Sequence, residues 1–241
     1  MTSSPEPRRF FFVHIQKTGG VSLYVRLWRY FGREAVYPAP SDGSPITVAP
    51  QLFPHVLFER WKARRDEIQV VTGHFPLCTA ELLDADFTTL TVLRDPVERT
   101  LSYLRHHRDT TPADSELSLE EIYEDPARYR PFIENHMVKM LSLKPEEMTN
   151  GMMTVIDLDR RRLRRAKRAL KAMDEFGIQE DLEAFAQRLE HRFGWRLGPA
   201  VHGNVTTPCE VSDSFRSKIA EDNRLDVELY EYARKLLRKR S

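Results

Sequence analysis

The chain has 241 residues and a mass of 28.2 kDa, with 37 lysines and arginines against 36 acidic residues. This length allows a full hydrophobic core, so we expect a single domain over residues 1–241 that begins with a flexible N-terminus, residues 1–8. The net charge of +1 excludes a global electrostatic attraction to nucleic acid or membranes, so any charge-driven binding must be local.

The cysteines and the apolar runs limit where the protein can work. Cys78 and Cys209 are too few for a disulfide framework and lack zinc-ligand spacing, which favours a reducing compartment. No apolar run is long enough for a membrane span, and the polar start of the chain lacks the pattern of a signal peptide. The sequence therefore predicts a cytoplasmic protein.

Strand and helix patterns alternate along the first half of the chain. The apolar run 9–15 predicts a strand, and residues 20–32 predict a helix with Leu23, Leu27 and Tyr30 on one face. We then expect an irregular proline-rich segment at 37–54 and a short helix at 55–65. Strands are expected at 67–74 and 87–93, followed by a helix that Asp95 caps. The chain is mostly helical from about residue 118. This order predicts an α/β fold with a central, mostly parallel sheet between two helical layers.

The turn between the first strand and the first helix, HIQKTGGVSL, carries residues suited to binding an anion. Gly19 and Gly20 allow a close backbone approach, Lys17 supplies a cation, and Thr18 and Ser22 supply hydroxyl groups. Alone, the pattern also fits a plain turn with a solvated lysine. In the P-loop of nucleoside triphosphatases the lysine follows the glycines, so the order found here disfavours a P-loop phosphotransferase.

This motif resembles the HIPKTGGTSL signature of sulfotransferases that use 3′-phosphoadenosine 5′-phosphosulfate, especially the carbohydrate-type branch. Gln16 replaces the usual proline, and Val21 replaces a threonine that often contacts the 5′-phosphate, so Val21 can offer only its N–H group. The resemblance implies a three-layer, P-loop-like fold, a soluble bacterial enzyme and a phosphosulfate sulfuryl donor. We expect that no metal is required, because a sulfuryl group carries less charge than a phosphoryl group, and Lys17 with the helix N-terminus can neutralise the leaving group.

The resemblance implies a second binding motif, for the 3′-phosphate of the sulfuryl donor. Members of the family place an arginine at a strand end and a serine eight positions later, and TVLRDPVERTLSYL supplies Arg94 and Ser102. Helical geometry supports the pair, because Ser102 returns to the helical face of the Asp95 cap. The planar guanidinium of arginine suits a phosphate. Taken alone, Arg94 and Asp95 can instead form a local ion pair.

Weaker matches at residues 134–142, 176–195 and 222–233 extend the resemblance over most of residues 9–235. Asn135 and Lys139 share one helix face there. They can line an acceptor cleft or make an ordinary contact on the helix surface.

Sulfuryl transfer to a hydroxyl requires a base for the hydroxyl proton and a cation for the leaving phosphate. The resemblance makes Lys17 the cation, and His74, at the end of the predicted strand 67–74, is our expected base. A histidine that is only hydrogen-bonded at the end of the sheet is the alternative. Glu81 is the reserve base, because some relatives use a glutamate. His14 lies inside the first predicted strand and is expected to be buried.

Residues 160–171 contain eight basic residues in twelve, a pattern typical of polyanion binding. Leu163, Ala166 and Leu170 nevertheless predict an amphipathic helix with a solvated basic face. A second interpretation is that this face steers an anionic acceptor.

The sequence thus predicts an enzyme that moves a sulfuryl group to a hydroxyl of a glycan, a glycolipid or a small hydroxylated metabolite. The product from the donor is 3′,5′-adenosine bisphosphate. No nucleic-acid partner is expected. The alternatives are a nucleotide-binding or polyanion-binding module without catalysis, and a P-loop phosphotransferase.

Overall fold

A computed structural model describes residues 8–43, 49–200 and 210–239. Cys209, residues 1–7 of the predicted flexible N-terminus and residues 44–48 of the proline-rich segment lie outside the described residues.

Five strands form one parallel sheet in the order β2-β3-β1-β4-β5. The strands are β1 (Arg9–Val13), β2 (Val36–Tyr37), β3 (Val70–Gly73), β4 (Phe87–Leu93) and β5 (Glu175–Ile178). The predictions for β1, β3 and β4 are confirmed, whereas the sequence analysis missed β2 and β5. All carboxyl ends of the strands lie at one side of the sheet, which we call the carboxyl edge. Ligands of open α/β sheets bind beyond this edge.

The helices of the described residues occupy both faces of this sheet. They are α1 (Gly20–Phe31), α2 (Ala49–Leu52), α3 (Pro54–Arg64), α4 (Cys78–Leu82), α5 (Pro96–Thr110), α6 (Leu119–Glu124), α7 (Pro126–Arg128), α8 (His136–Ser142), α9 (Arg160–Ala172), α10 (Leu182–Phe193), α11 (Asp213–Asp222) and α12 (Arg224–Arg238). The expected helices at 20–32 and 55–65 correspond to α1 and α3. No helix of the described ranges is long and apolar enough to cross a membrane.

Alternating side chains of the central strand β1 separate the two hydrophobic layers. Phe10 and Phe12 pack with α1 and α10, whereas Phe11 and Val13 pack with α8, α9 and α12. Successive side chains of a strand point to opposite faces, so this strand is buried on both sides. The arrangement confirms the predicted three-layer α/β fold. Tyr30, expected on the buried face of α1, is instead 39% exposed.

The starts of α5 and α9 are defined by aspartate caps. The Asp95 carboxylate accepts hydrogen bonds of 3.0 Å from the N–H groups of Val97 and Glu98, which confirms the predicted cap of α5. Asp159 caps α9 in the same way. The residues of α9 that were predicted to be its apolar stripe are all buried: Leu163, Ala166 and Leu170. The predicted amphipathic helix is therefore confirmed.

Candidate active site at the carboxyl edge

The turn from β1 into α1 has a backbone shape that few residues adopt. Lys17 has φ 64° and Gly19 has φ 84°, both in the left-handed region. A side chain at Gly19 would also bring its Cβ to 3.0 Å from Cγ of Gln179, the residue after β5. Glycine therefore serves both the backbone conformation and the close approach of the next segment.

Several backbone N–H groups of this turn have no acceptor among the residues that the structure describes. Those from Thr18 to Val21 donate no hydrogen bond to the described part of the chain. The first N–H groups of any helix lack intrahelical partners, and the helix dipole adds a partial positive charge at the same place. The turn is thus suited to an anion, as the sequence predicted.

The hydroxyl groups of the turn differ in their surroundings. Thr18 is fully buried, and its hydroxyl donates to the carbonyl of Ile15 at 2.9 Å. In this conformation Thr18 holds the turn in shape, and an anion can receive only its backbone N–H. Ser22 is half-buried on the first turn of α1, and its N–H donates to the Gly19 carbonyl at 3.2 Å. Val21 is 46% exposed, so the start of α1 is open to solvent at this residue.

Arg94 connects the two motifs that the sequence analysis identified. Its Nη1 donates to the Lys17 carbonyl at 3.0 Å, although 77 residues separate the two along the chain. The ion pair with Asp95 that the sequence also allowed is not formed, because that carboxylate caps α5. Arg94 Nε is buried without a partner in the described residues. A buried N–H of a guanidinium without an acceptor is costly unless a ligand provides one.

The charges at this edge affect each other. Burial, followed by the nearby charge of Arg94, lowers the pKa of Lys17 from 10.5 to about 8. Burial also lowers the pKa of Arg94, whose guanidinium stays charged at any physiological pH. Two cations held this close repel one another, so a bound anion would relieve the repulsion.

His74 follows β3 directly and is held at both its backbone and its ring. Its N–H donates to the carbonyl of Gln51 at 2.7 Å, and its Nδ1 lies 2.7 Å from the carbonyl of His14. A carbonyl oxygen only accepts, so Nδ1 carries the proton and Nε2 has the lone pair. Burial, assisted by the charge of Lys17, lowers the pKa of His74 to about 4. The ring is therefore neutral at pH 7, as a general base must be.

His14 joins the expected base to the anion-binding turn. Its side chain is buried, as predicted, and its ring lies 4.6 Å from the ring of His74, centroid to centroid. A Cβ at Gly20 would lie 2.0 Å from Cδ2 of His14. Gly20 is thus required by the ring packed against it. The contact between His14 and His74 was not predicted from the sequence, because 60 residues separate them along the chain.

Ser102 lies half-buried in the second turn of α5, the helix that starts immediately after Arg94 and Asp95. Its hydroxyl makes no hydrogen bond within the described ranges. Ser102 lies on α5, as helical periodicity predicted. Its binding to the 3′-phosphate of a sulfuryl donor stays a prediction.

Glu81 does not lie at this edge. It lines a cavity of about 730 Å³ together with Arg9, Phe87 and Thr88, the residues that begin β1 and β4. This cavity is therefore at the amino edge of the sheet, opposite the turn that contains Lys17. The choice of Glu81 as reserve base was wrong, because α4 carries it away from His74.

Asn135 and Lys139 contact neighbouring segments of the protein and do not line a cleft. The Asn135 side-chain oxygen accepts from the N–H groups of Leu225 and Asp226, at 2.9 and 3.1 Å. Lys139 is 1% exposed and donates to the Pro131 carbonyl at 2.5 Å. The interpretation as an ordinary helix contact is the one that the structure supports. Among the described residues, no cluster of three or more histidine, cysteine or acidic side chains is arranged for a metal ion.

Comparison with known proteins gives a distant relative. The chain is 26% identical, over an alignment of 280 residues, to heparan-sulfate 6-O-sulfotransferase 2 of Gallus gallus. The alignment covers 95% of this chain and 66% of the relative, so the chain spans slightly less than two thirds of the length of that protein. No protein-family model matches the chain. The similarity agrees with the resemblance of the first turn to the motif of carbohydrate-type sulfotransferases.

Proposed function

We propose that the protein transfers a sulfuryl group from 3′-phosphoadenosine 5′-phosphosulfate to an acceptor hydroxyl. The observation that carries this proposal is the hydrogen bond from Arg94 to the Lys17 carbonyl, which joins the two segments that the sequence predicts to bind anions. His74 directly follows β3, the strand next to β1, at the same edge. The distant similarity to a heparan-sulfate sulfotransferase supports the same reaction class.

The residues present suit a sulfuryl donor with two anionic ends. Lys17 and the unpaired N–H groups of Thr18 to Val21 would hold its 5′-phosphosulfate, with Ser22 beside them. Arg94 and Ser102 would hold its 3′-phosphate. When bound, this compound supplies the sulfuryl group and leaves as 3′,5′-adenosine bisphosphate.

His74 would act as the general base. Its Nδ1–H is bound by the His14 carbonyl, so Nε2 is the nitrogen that accepts the proton of the acceptor hydroxyl. The same hydrogen bond holds the ring in one tautomer and one orientation. A pKa of about 4 is low for a base, but a negative charge bound beside Lys17 favours the protonated imidazole and raises that pKa.

Lys17 would neutralise the negative charge that develops on the leaving phosphate oxygen. Its partly buried position strengthens the interaction, because charges attract more strongly where water is excluded. Removing one such group from an active site typically lowers the rate by about 10² to 10³. Lys17 therefore would serve both binding and catalysis.

We propose a carbohydrate hydroxyl as the acceptor. The motif of the first turn resembles the carbohydrate-type branch, and the relative is named for heparan sulfate. A glycolipid or a small hydroxylated metabolite presents the same reacting group, and a panel of acceptors distinguishes them.

Calorimetry tests the site without knowledge of the acceptor. We expect wild-type protein to bind 3′,5′-adenosine bisphosphate more tightly than ATP with magnesium. Arg94→Ala should weaken that binding roughly ten- to hundredfold, because a hydrogen bond to a charged group contributes about 1.5–3 kcal/mol. Arg29→Ala removes an exposed arginine of α1 and serves as the matched control.

The outcomes separate the candidate functions. Preference for ATP with magnesium would contradict the proposal and favour a phosphotransferase. Tight binding of the bisphosphate without transfer to any hydroxyl in a broad acceptor panel would favour a module without catalysis.

A further inference from the structure

Helix α9 carries a row of basic side chains that are not among the residues described at the carboxyl-edge site. Arg161, Arg164, Arg168 and Lys171 are all exposed, at successive intervals of three, four and three residues. Because an α-helix turns by about 100° and rises by about 1.5 Å per residue, these four side chains lie within an arc of about 80° and extend over about 15 Å of the helix. We call these four residues the basic stripe.

Acidic residues neutralise the sides of α9 but not the basic stripe. Glu228 of α12 pairs with Arg160 and Lys167, and Glu147 pairs with Arg162 on the other side. Within the described ranges, none of the four stripe residues forms an ion pair. The uncompensated charge is therefore concentrated along the outermost line of the helix.

The basic stripe is unfavourable for the isolated helix. Like charges three or four residues apart repel one another, and the stripe contains three such pairs in succession. The apolar side of α9 already packs against α8 and α12, so the stripe is not needed to bury the helix. An external polyanion would offset the repulsion.

We propose that the basic stripe binds a linear anionic polysaccharide. A single row of three arginines and one lysine matches a narrow chain of sulfate or carboxylate groups, and the arginine fork binds such oxygens through two hydrogen bonds. No stripe residue belongs to the set assigned to sulfuryl transfer, and binding by the stripe does not depend on the proposed reaction.

Two other polyanions fit the structure less well. Proteins that bind duplex DNA usually carry a broad positive surface, whereas the net charge of this chain is only +1. A helix that binds a membrane surface inserts its apolar face, and that face of α9 is in the core. The large hydrophobic residues that are exposed in the described ranges all lie outside α9: Val21, Tyr30, Leu82 and Val155.

The test compares two variants with the same change in charge. The stripe variant carries Arg161→Gln, Arg164→Gln, Arg168→Gln and Lys171→Gln, and the control carries Arg29→Gln, Lys62→Gln, Lys235→Gln and Lys239→Gln. The control positions are also exposed but scattered. Each variant has 33 basic residues against 36 acidic ones, so the net charge changes from +1 to −3 in both.

Binding of a fluorescent heparin oligosaccharide is measured by anisotropy over a series of salt concentrations, without a sulfuryl donor. We expect wild type and control to bind alike and the stripe variant to bind at least about tenfold more weakly at low salt. The slope of log affinity against log salt should lose about one unit for each stripe residue that contacts the polymer. An unchanged melting temperature confirms that both variants fold.

Equal affinity of the stripe variant and the control would overturn the proposal. Duplex DNA or anionic vesicles that bind wild type as tightly as heparin, and lose affinity equally in the stripe variant, would also overturn it. Failure of the sulfuryl-transfer proposal would leave this measurement unaffected.

Discussion

Two polar regions of the molecule use similar groups in different ways. In the turn before α1, the N–H groups from Thr18 to Val21 have no acceptor within the described chain. Where α8 meets α12, the helix N-termini cap each other: Asn135 accepts from two N–H groups of α12, and Asp226 accepts from two of α8.

The difference indicates which region is built for a ligand. N–H groups at an accessible helix start can donate hydrogen bonds to water, so leaving them unpaired within the protein costs little free energy. They can donate to an anion instead when one binds. At the junction of α8 and α12, the same groups are buried and must be satisfied by the protein itself. A variant in the turn should therefore affect binding or catalysis, and a variant in the junction should affect stability.

The largest expected effect is that of His74→Asn. The asparagine amide can still donate to the His14 carbonyl, but it provides no base, so kcat should fall about 10²- to 10⁴-fold. Affinity for 3′,5′-adenosine bisphosphate should remain near that of wild type. Turnover with radiolabelled sulfuryl donor measures the effect, and His55→Asn, at an exposed position, is the control. Near-normal turnover would exclude His74 as the base.

Lys17→Gln should reduce kcat about 10²- to 10³-fold, because the charge that opposes the leaving phosphate is lost. The melting temperature should not fall, since no ion pair of Lys17 stabilises the described fold. Lys62→Gln removes an exposed lysine and serves as the control. A loss of stability without a loss of turnover would place Lys17 among the structural residues.

Asn135→Ala should destabilise the protein by about 2–6 kcal/mol. The change leaves the N–H groups of Leu225 and Asp226 buried without an acceptor, at about 1–3 kcal/mol each. Denaturant unfolding measures the loss, and the folded fraction should keep its affinity for 3′,5′-adenosine bisphosphate. If that affinity falls while stability is unchanged, the junction belongs to the ligand site and the contrast with the turn is lost.

The smallest expected effect is a dependence of ligand affinity on pH. The pKa of Lys17 is about 8 in the folded protein, so its charge is lost as pH rises from 7 to 9. Affinity for 3′,5′-adenosine bisphosphate should fall roughly three- to tenfold over this interval. Lys17→Gln should show a flat profile, and Lys17→Arg should remain charged and also be flat. A similar fall in all three proteins would assign the titration to another group.

The sequence allowed the prediction of much of the fold, and its errors have identifiable causes. The apolar run of β1, the Asp95 cap and the apolar stripe of α9 are local patterns, and each appears as predicted. β2 has only two residues, and the four residues of β5 include Glu175 and Gly177, so neither strand has an apolar run that periodicity can detect. Glu81 was misplaced because the direction of the chain after His74 depends on tertiary packing.

What the sequence by itself determined is the chemical content of the candidate site. Two glycines beside Lys17 and an arginine at a strand end specify an anion-binding turn and a second cation, since these depend on residue type and local spacing. The tertiary structure decided which groups meet. It joined Arg94 to the Lys17 carbonyl and His74 to the His14 carbonyl, and it carried Glu81 to the opposite edge. These contacts span tens of residues and follow from parallel strand pairing, which brings distant strand ends to one edge of the sheet.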